Sequence, residues 1–194
     1  MALTASQIRV PGTGELYVAA VGTAAPADAT AALAAPWKGL GYTQDDGATL
    51  SRSLDREPVT AWQSITPLRY IYNGAELTVA AAMLQSNNEI ATLWFGGGNF
   101  AETSVGSGEY KADMPTVPEG VERAVVLEWT DTGPAEDIVN RLFIPRAELR
   151  DTGDVQLTRT GPTAFQMTFA ALAPNSGSVL ATWLTNDPAF APPA

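Results

Sequence analysis

The sequence predicts a mainly β protein, a β-sandwich or partly closed β-barrel flanked by one short α-helix over about residues 87–95. Three observations carry this. Most apolar residues recur at spacing two, as in Val125, Leu127 and Trp129 or Phe165, Met167 and Phe169, the mark of half-buried strands. Only the stretch Ser86–Gly98 shows helical spacing. Turn-forming Asp-Gly, Asn-Gly and Pro-Gly pairs punctuate the rest of the chain.

The helix is legible from its ends. Ser86 followed by Glu89 three residues on reads as a capping box, and Gly96 supplies a residue able to take positive φ at the far end. Between them Ile90, Leu93 and Trp94 fall at i, i+3 and i+4 and form one apolar stripe. So short a helix does not persist alone in water, and its stripe is expected to dock on a sheet.

In chain order, residues 1–13 read as an N-terminal arm, ending at Pro11-Gly12-Thr13, and Glu15–Ala20 as a first strand with Leu16 and Val18 on one face. Val21–Pro36 is Ala-rich and reads as a loop. Trp37–Gln44 runs into Asp45-Asp46-Gly47, a predicted hairpin turn, with Ala48–Leu54 returning. Pro58–Ile65 and Pro67–Asn73 read as further strands. Asn73-Gly74 is the strongest hairpin signal of all, and Glu76–Gln85 follows with Leu77, Val79, Ala81 and Met83 sharing a face.

Beyond the helix, Gly97–Gly120 holds five glycines and two prolines and predicts a long surface excursion, the kind usually ordered by function or by a partner. Strands are expected at Val121–Thr130, Ile138–Ile144, Ala164–Ala173 and Val179–Leu184. Pro145–Leu149 reads as a bend and Asp151–Asp154 as a turn, and residues 185–194 as an extended C-terminal tail. One domain is expected over 1–194, with its core at 14–184 and the long loop at 97–120.

Composition narrows the chemistry. The chain of 194 residues has 45% hydrophobic content and five tryptophans, enough for one core, and each tryptophan lies in an apolar periodic segment and reads as core. It has no cysteine and no histidine, which removes disulfides, thiolate nucleophiles, imidazole bases and nearly all zinc chemistry. A net charge of −10 argues against sequence-specific binding of nucleic acid, which needs clustered cations. With no apolar run long enough to span a bilayer and no signal-peptide pattern, a soluble, non-exported protein without membrane insertion is expected.

Candidate sites are few. The glycines of Phe95-Gly96-Gly97-Gly98-Asn99 follow a helix, whereas a phosphate loop precedes one. Asp45-Asp46-Gly47 and Asp151-Thr152-Gly153-Asp154 lack the spacing of a calcium loop. No catalytic residue, cofactor site or metal site is therefore assigned. Arg141, Arg146, Arg150 and Arg159 form a loose basic group that reads either as local ion pairing, with Glu136, Asp137, Glu148 or Asp151, or as a seam meeting carboxylates of another subunit. A carbohydrate-binding β-sandwich and a hydrolase using two carboxylates are the rival classes.

Several pieces, taken in order, resemble a known family. They are Trp37-Lys38-Gly39-Leu40-Gly41-Tyr42-Thr43-Gln44-Asp45-Asp46-Gly47, Ala61-Trp62-Gln63, the strand into the capped helix, Leu142-Phe143-Ile144-Pro145-Arg146-Ala147-Glu148-Leu149, and Thr152-Gly153-Asp154. Over roughly Trp37–Leu184 they are similar to the major tail (tail tube) proteins of long-tailed, siphovirus-like bacteriophages, especially those of actinobacterial hosts. The resemblance implies a structural virion protein whose copies form stacked, hexameric rings around a lumen that conducts phage DNA without binding it specifically. It implies a tape measure protein, a tail terminator and a distal tail protein as partners, with assembly in the host cytoplasm. An acidic wall would let the duplex slide. Glu122, Glu128, Gln166 and Thr168, opposite the apolar faces of their strands, are the candidates to line it.

Overall fold

The computed structural model describes residues 4–117, 120–133 and 136–191. Ten strands and one helix make it up: β1 Thr13–Ala19, β2 Lys38–Gly39, β3 Thr43–Ala61, β4 Ser64–Met83, α1 Asn88–Trp94, β5 Ala101–Glu102, β6 Tyr110–Lys111, β7 Glu122–Thr132, β8 Asp137–Thr152, β9 Phe165–Ala171 and β10 Thr182–Thr185. All but β5 and β6 belong to one antiparallel sheet in the order β2-β1-β7-β8-β9-β4-β3, with β10 also paired to β8. It is mainly β, as expected, and it does not close into a barrel.

The sheet curls because β8 changes partners along its length. Its first half takes β10, through Asn140 to Phe143, and its second half takes β9, through Ala147 to Thr152. Between them the ladder with β7 slips, two residues of β7 (Arg123 to Val125) spanning three of β8 (Ala147 to Ile144). Pro145 lies in this bulge, where its missing N–H costs no ladder bond. The bend expected at Pro145–Leu149 is thus a bulge inside a continuous strand, and β8 runs on to Thr152 through the start of the turn expected at Asp151–Asp154.

The curl brings Leu16, Val18, Val125, Leu127, Leu142 and Ile144 over Val79, Met83, Met167 and Phe169, forming the main core. Helix α1 closes it with Ile90 and Leu93, both buried, and Leu40 fills a further place. The helix starts one residue later than the Ser86–Glu89 pattern suggests. Asn87 is the N-cap, its Oδ1 accepting from the Ile90 N–H at 2.9 Å. At the other end Gly96 has φ +68°, and the Gly96 and Gly97 amides donate to the carbonyls of Leu93 and Thr92, a Schellman stop. On the sheet's other face Ala124, Val126 and Phe143 are covered by Leu33 and Trp37 of the loop after β1.

Both predicted hairpin turns fall inside strands. Asp45–Gly47 is a wide bulge near the start of β3, where Thr43 pairs with Met83 and Ala48 already pairs with Ala81. Asn73 is the extra residue of a second bulge, since Asp55 pairs with Gly74 and Arg56 with Tyr72. The actual reversal is at Trp62-Gln63, between Ala61 and Ser64. Several short predicted strands therefore merge into one hairpin of 19 and 20 residues.

Candidate assembly surface

Beyond Thr78, the last residue of that segment to pair with β9, the hairpin leaves the body as a two-stranded ribbon. Fourteen residues at about 3.3 Å each carry it about 45 Å outward. Its strands have no third neighbour, and both faces meet solvent and carry exposed apolar residues, mostly on β4, among polar ones on β3. Leu68, Tyr70 and Tyr72 alternate with Ile71, and all are exposed; at the tip Trp62 and Ile65 are wholly exposed, at 100% and 106%. A concentration of exposed apolar groups of this size marks an interaction surface. Trp62, expected in the core, is the outermost residue of the arm. A legible signal was the polar run Ser51-Arg52-Ser53 and Asp55-Arg56-Glu57 on β3, which offers a sandwich core no face.

The arm's base is pinned. Arg150, near the end of β8, pairs with Glu76 of β4. Arg56 lies over the Tyr70 ring at 5.9 Å, bracing the ribbon further out.

The remaining predicted residues divide between ion pairs and outward positions. Arg141 donates to Glu128, and its Nη1 reaches the Asp28 carbonyl of the covering loop at 3.0 Å. Arg146 forks onto Glu122, Nε to Oε2 at 2.8 Å, and donates to the Ala173 carbonyl. This contact holds the Glu122 carboxyl below the usual carboxylate range. Three of the four singled-out arginines thus have partners in their own chain, and two of those partners are the carboxylates read as wall-lining. None is Glu136, Asp137, Glu148 or Asp151. Arg159 is exposed in a turn and has no ion pair among the described residues. Gln166 is exposed and Thr168 half-buried, both on the side of β9 away from Met167 and Phe169. Trp94 packs edge-on against Phe165 at 6.1 Å, with its indole N–H buried and unpartnered.

The two ends meet. Arg9 forks onto Asp187, Nε to Oδ2 and Nη2 to Oδ1 both at 2.7 Å. Asp187 also caps the 3₁₀ turn Pro188–Phe190, and both contacts hold its carboxyl below the ordinary range. The predicted extended tail is therefore docked as far as Ala191, and the expectation for 192–194 lies outside the described residues. Trp183, half exposed rather than core, packs edge-on against Trp129 and tilted against Phe190, and donates to Asn140 Oδ1.

The described part of the glycine-rich excursion, residues 97–117, is held by contacts within the chain. Asn88 Oδ1 accepts from the Phe100 N–H and its Nδ2 donates to Asn99, tying the excursion's start to the helix. The Glu102 carboxylate accepts the Gly106 and Gly108 amides and folds the β5–β6 ribbon. Among the described residues no cluster of acidic side chains is arranged to hold a metal ion, and no helix is long and apolar enough to cross a membrane.

A family model described as phage tail tube protein matches residues 1–194, the whole chain. No curated protein matches the chain.

Proposed function

The chain belongs to the phage tail tube protein family, a structural component of the virion, and from that premise we propose that its copies form hexameric rings that stack into a tube conducting the phage genome. The observation that supports self-assembly best is the β3–β4 arm, whose apolar tip is wholly exposed in the single chain. A monomer gains nothing from presenting Trp62 and Ile65 to water; a subunit that buries them against a neighbour gains about 25 cal/mol per Å² of apolar area covered. The surplus negative charge of −10 suits a lumen through which DNA slides. Of the candidates for the lining, Glu128 lies with Arg141 beneath the loop after β1, and Glu122, Gln166 and Thr168 on the outward side of β7 and β9 are the proposed lining. The arginine pairings of Glu122 and Glu128 weaken their share of that field, which leaves Gln166 and Thr168 as neutral, weakly adhesive positions. Stacking through unlike surfaces is open-ended, so a tape measure protein, a tail terminator and a distal tail protein would set length and ends.

Electron microscopy and sedimentation of the purified chain test this. Rings or tubes are expected for the wild type, and monomers with an unchanged melting temperature for Trp62→Ser combined with Ile65→Ser. Strictly monomeric wild-type protein at high concentration would overturn the proposal.

A further inference from the structure

We propose that Asn73 is a site of spontaneous covalent modification, its side chain closing on the Gly74 amide and reopening as an aspartyl or isoaspartyl residue. The deprotonated Gly74 backbone nitrogen attacks Asn73 Cγ, the Cγ–Nδ2 bond breaks, and Nδ2 takes up a proton and leaves as ammonia. A cyclic imide results. Water then adds to either imide carbonyl and breaks its bond to the Gly74 nitrogen. Opening at Cγ gives aspartate, and opening at the main-chain carbonyl routes the chain through the side chain as isoaspartate. In sum an amide and water become a carboxyl and ammonia, with water the sole co-reactant.

Sequence and fold combine at this position. Of the seven asparagines in the chain, Asn73 alone is followed by glycine, whose missing Cβ lets its nitrogen approach the preceding side chain. Asn73 and Gly74 are both exposed. Asn73 is also the residue left over by the ladder, with Asp55 paired to Gly74 and Arg56 to Tyr72. The neighbouring strand β9 reaches only as far as Thr78. A bulge residue without a cross-strand partner, in a ribbon of two strands, keeps the backbone freedom that ring closure needs.

Its side chain is held only by a long bond, from Nδ2 to Glu57 Oε2 at 3.4 Å. Five other asparagines are engaged more firmly. Asn87 caps α1, Asn88 and Asn99 bond each other, Asn140 accepts from Trp183, and Asn186 joins the Val139 amide to the Asp137 carbonyl. Such bonds hold Cγ away from the next amide. Asn175, exposed and followed by Ser176, is the internal reference.

The modification alters the arm. A carboxylate replaces the amide that donates to Glu57, beside the Asp55–Gly74 pair, so a hydrogen bond becomes repulsion between like charges. The isoaspartyl form lengthens the main chain at a residue already surplus to the ladder, so the pairs on either side keep their register.

The test is peptide mapping of the full-length chain after incubation in mildly alkaline buffer. The Asn73 peptide is expected to convert at least about tenfold faster than the Asn175 peptide. Both aspartyl and isoaspartyl products are expected, each carrying heavy oxygen when the water is labelled. Because the bulge leaves Asn73 free, the folded chain should keep at least about a tenth of the rate seen in urea. Gly74→Ala should fold normally and slow conversion at least about tenfold, and Asn73→Gln should abolish it at this position. A folded chain slower than about a tenth of the unfolded rate, a product without isoaspartate, or a wild-type rate in Gly74→Ala would overturn the proposal. None of these readouts depends on assembly.

Discussion

Arg141 and Glu128 stand directly opposite each other on β8 and β7, and the Arg141 Nε donates to Glu128 Oε2 at 2.5 Å with only 3% of the arginine exposed. Beneath the loop that contributes the Asp28 carbonyl, the pair fixes both a strand register and a loop position. Removing the charge of Glu128 leaves a buried guanidinium short of its counter-ion. Glu128→Gln is expected to cost about 1–3 kcal/mol in urea unfolding. Arg141→Met combined with Glu128→Leu should cost less than the two single changes added together, as a double-mutant cycle would show.

Helix α1 gives a contrast between two neighbours. Leu93→Ala opens a cavity in the main core and is expected to cost about 2–5 kcal/mol. Trp94→Phe removes an indole N–H that is buried without an acceptor, and that relief offsets part of the lost packing, so a net loss of no more than about 1.5 kcal/mol is expected. Chemical denaturation of the two variants checks the order.

The ends of the chain confer a dependence on acid. Arg9 and the capped turn lower the folded-state pKa of Asp187. The resulting stabilisation is complete above the ordinary carboxylate range near about 4, and it is lost as pH falls through the depressed folded value. Asp187→Asn keeps the cap oxygen and loses the charge. Its stability deficit relative to the wild type should be constant at neutral pH and shrink below about pH 4, as measured by melting temperature across pH.

Two glycines that look alike in the sequence should respond oppositely. Gly74 lies in extended strand, and a Cβ there would meet only Asp55 Cβ at 3.8 Å, so Gly74→Ala is expected to be neutral or to stabilise by about 0.4–1 kcal/mol. Gly96, with φ +68° at the helix stop, should lose about 1–2 kcal/mol on becoming alanine. A hairpin turn at Asn73-Gly74 would reverse the first result.

These differences show which features were local enough to read. The helix stripe of Ile90, Leu93 and Trp94, and the strand faces of Val125 with Leu127 and Met167 with Phe169, follow from periodicity because a core decides them. Asn73-Gly74 and Asp45-Asp46-Gly47 have turn chemistry, yet each sits where one strand carries surplus residues, and a bulge uses the same backbone freedom as a turn. The arm misled for a related reason. Its apolar residues on β4 alternate as a buried strand's do, and only the polar run on the facing stretch of β3 tells that no core covers them. The pairings of Arg141 with Glu128 and Arg146 with Glu122 depend on strand register, which residue type alone does not specify.

Strand β4 passes from the arm's tip at Ser64 to the core at Met83 as one strand, bulged at Asn73, and β9 grips its inner end over six consecutive pairs. A pull on the tip along the ribbon therefore loads those pairs together, in shear, because their hydrogen bonds lie across the strand. The arm is in this sense a tendon for any load applied at its tip. Tension applied at one end of a filament of such subunits would run through sheets, with no hinge or flexible linker in its path to absorb it.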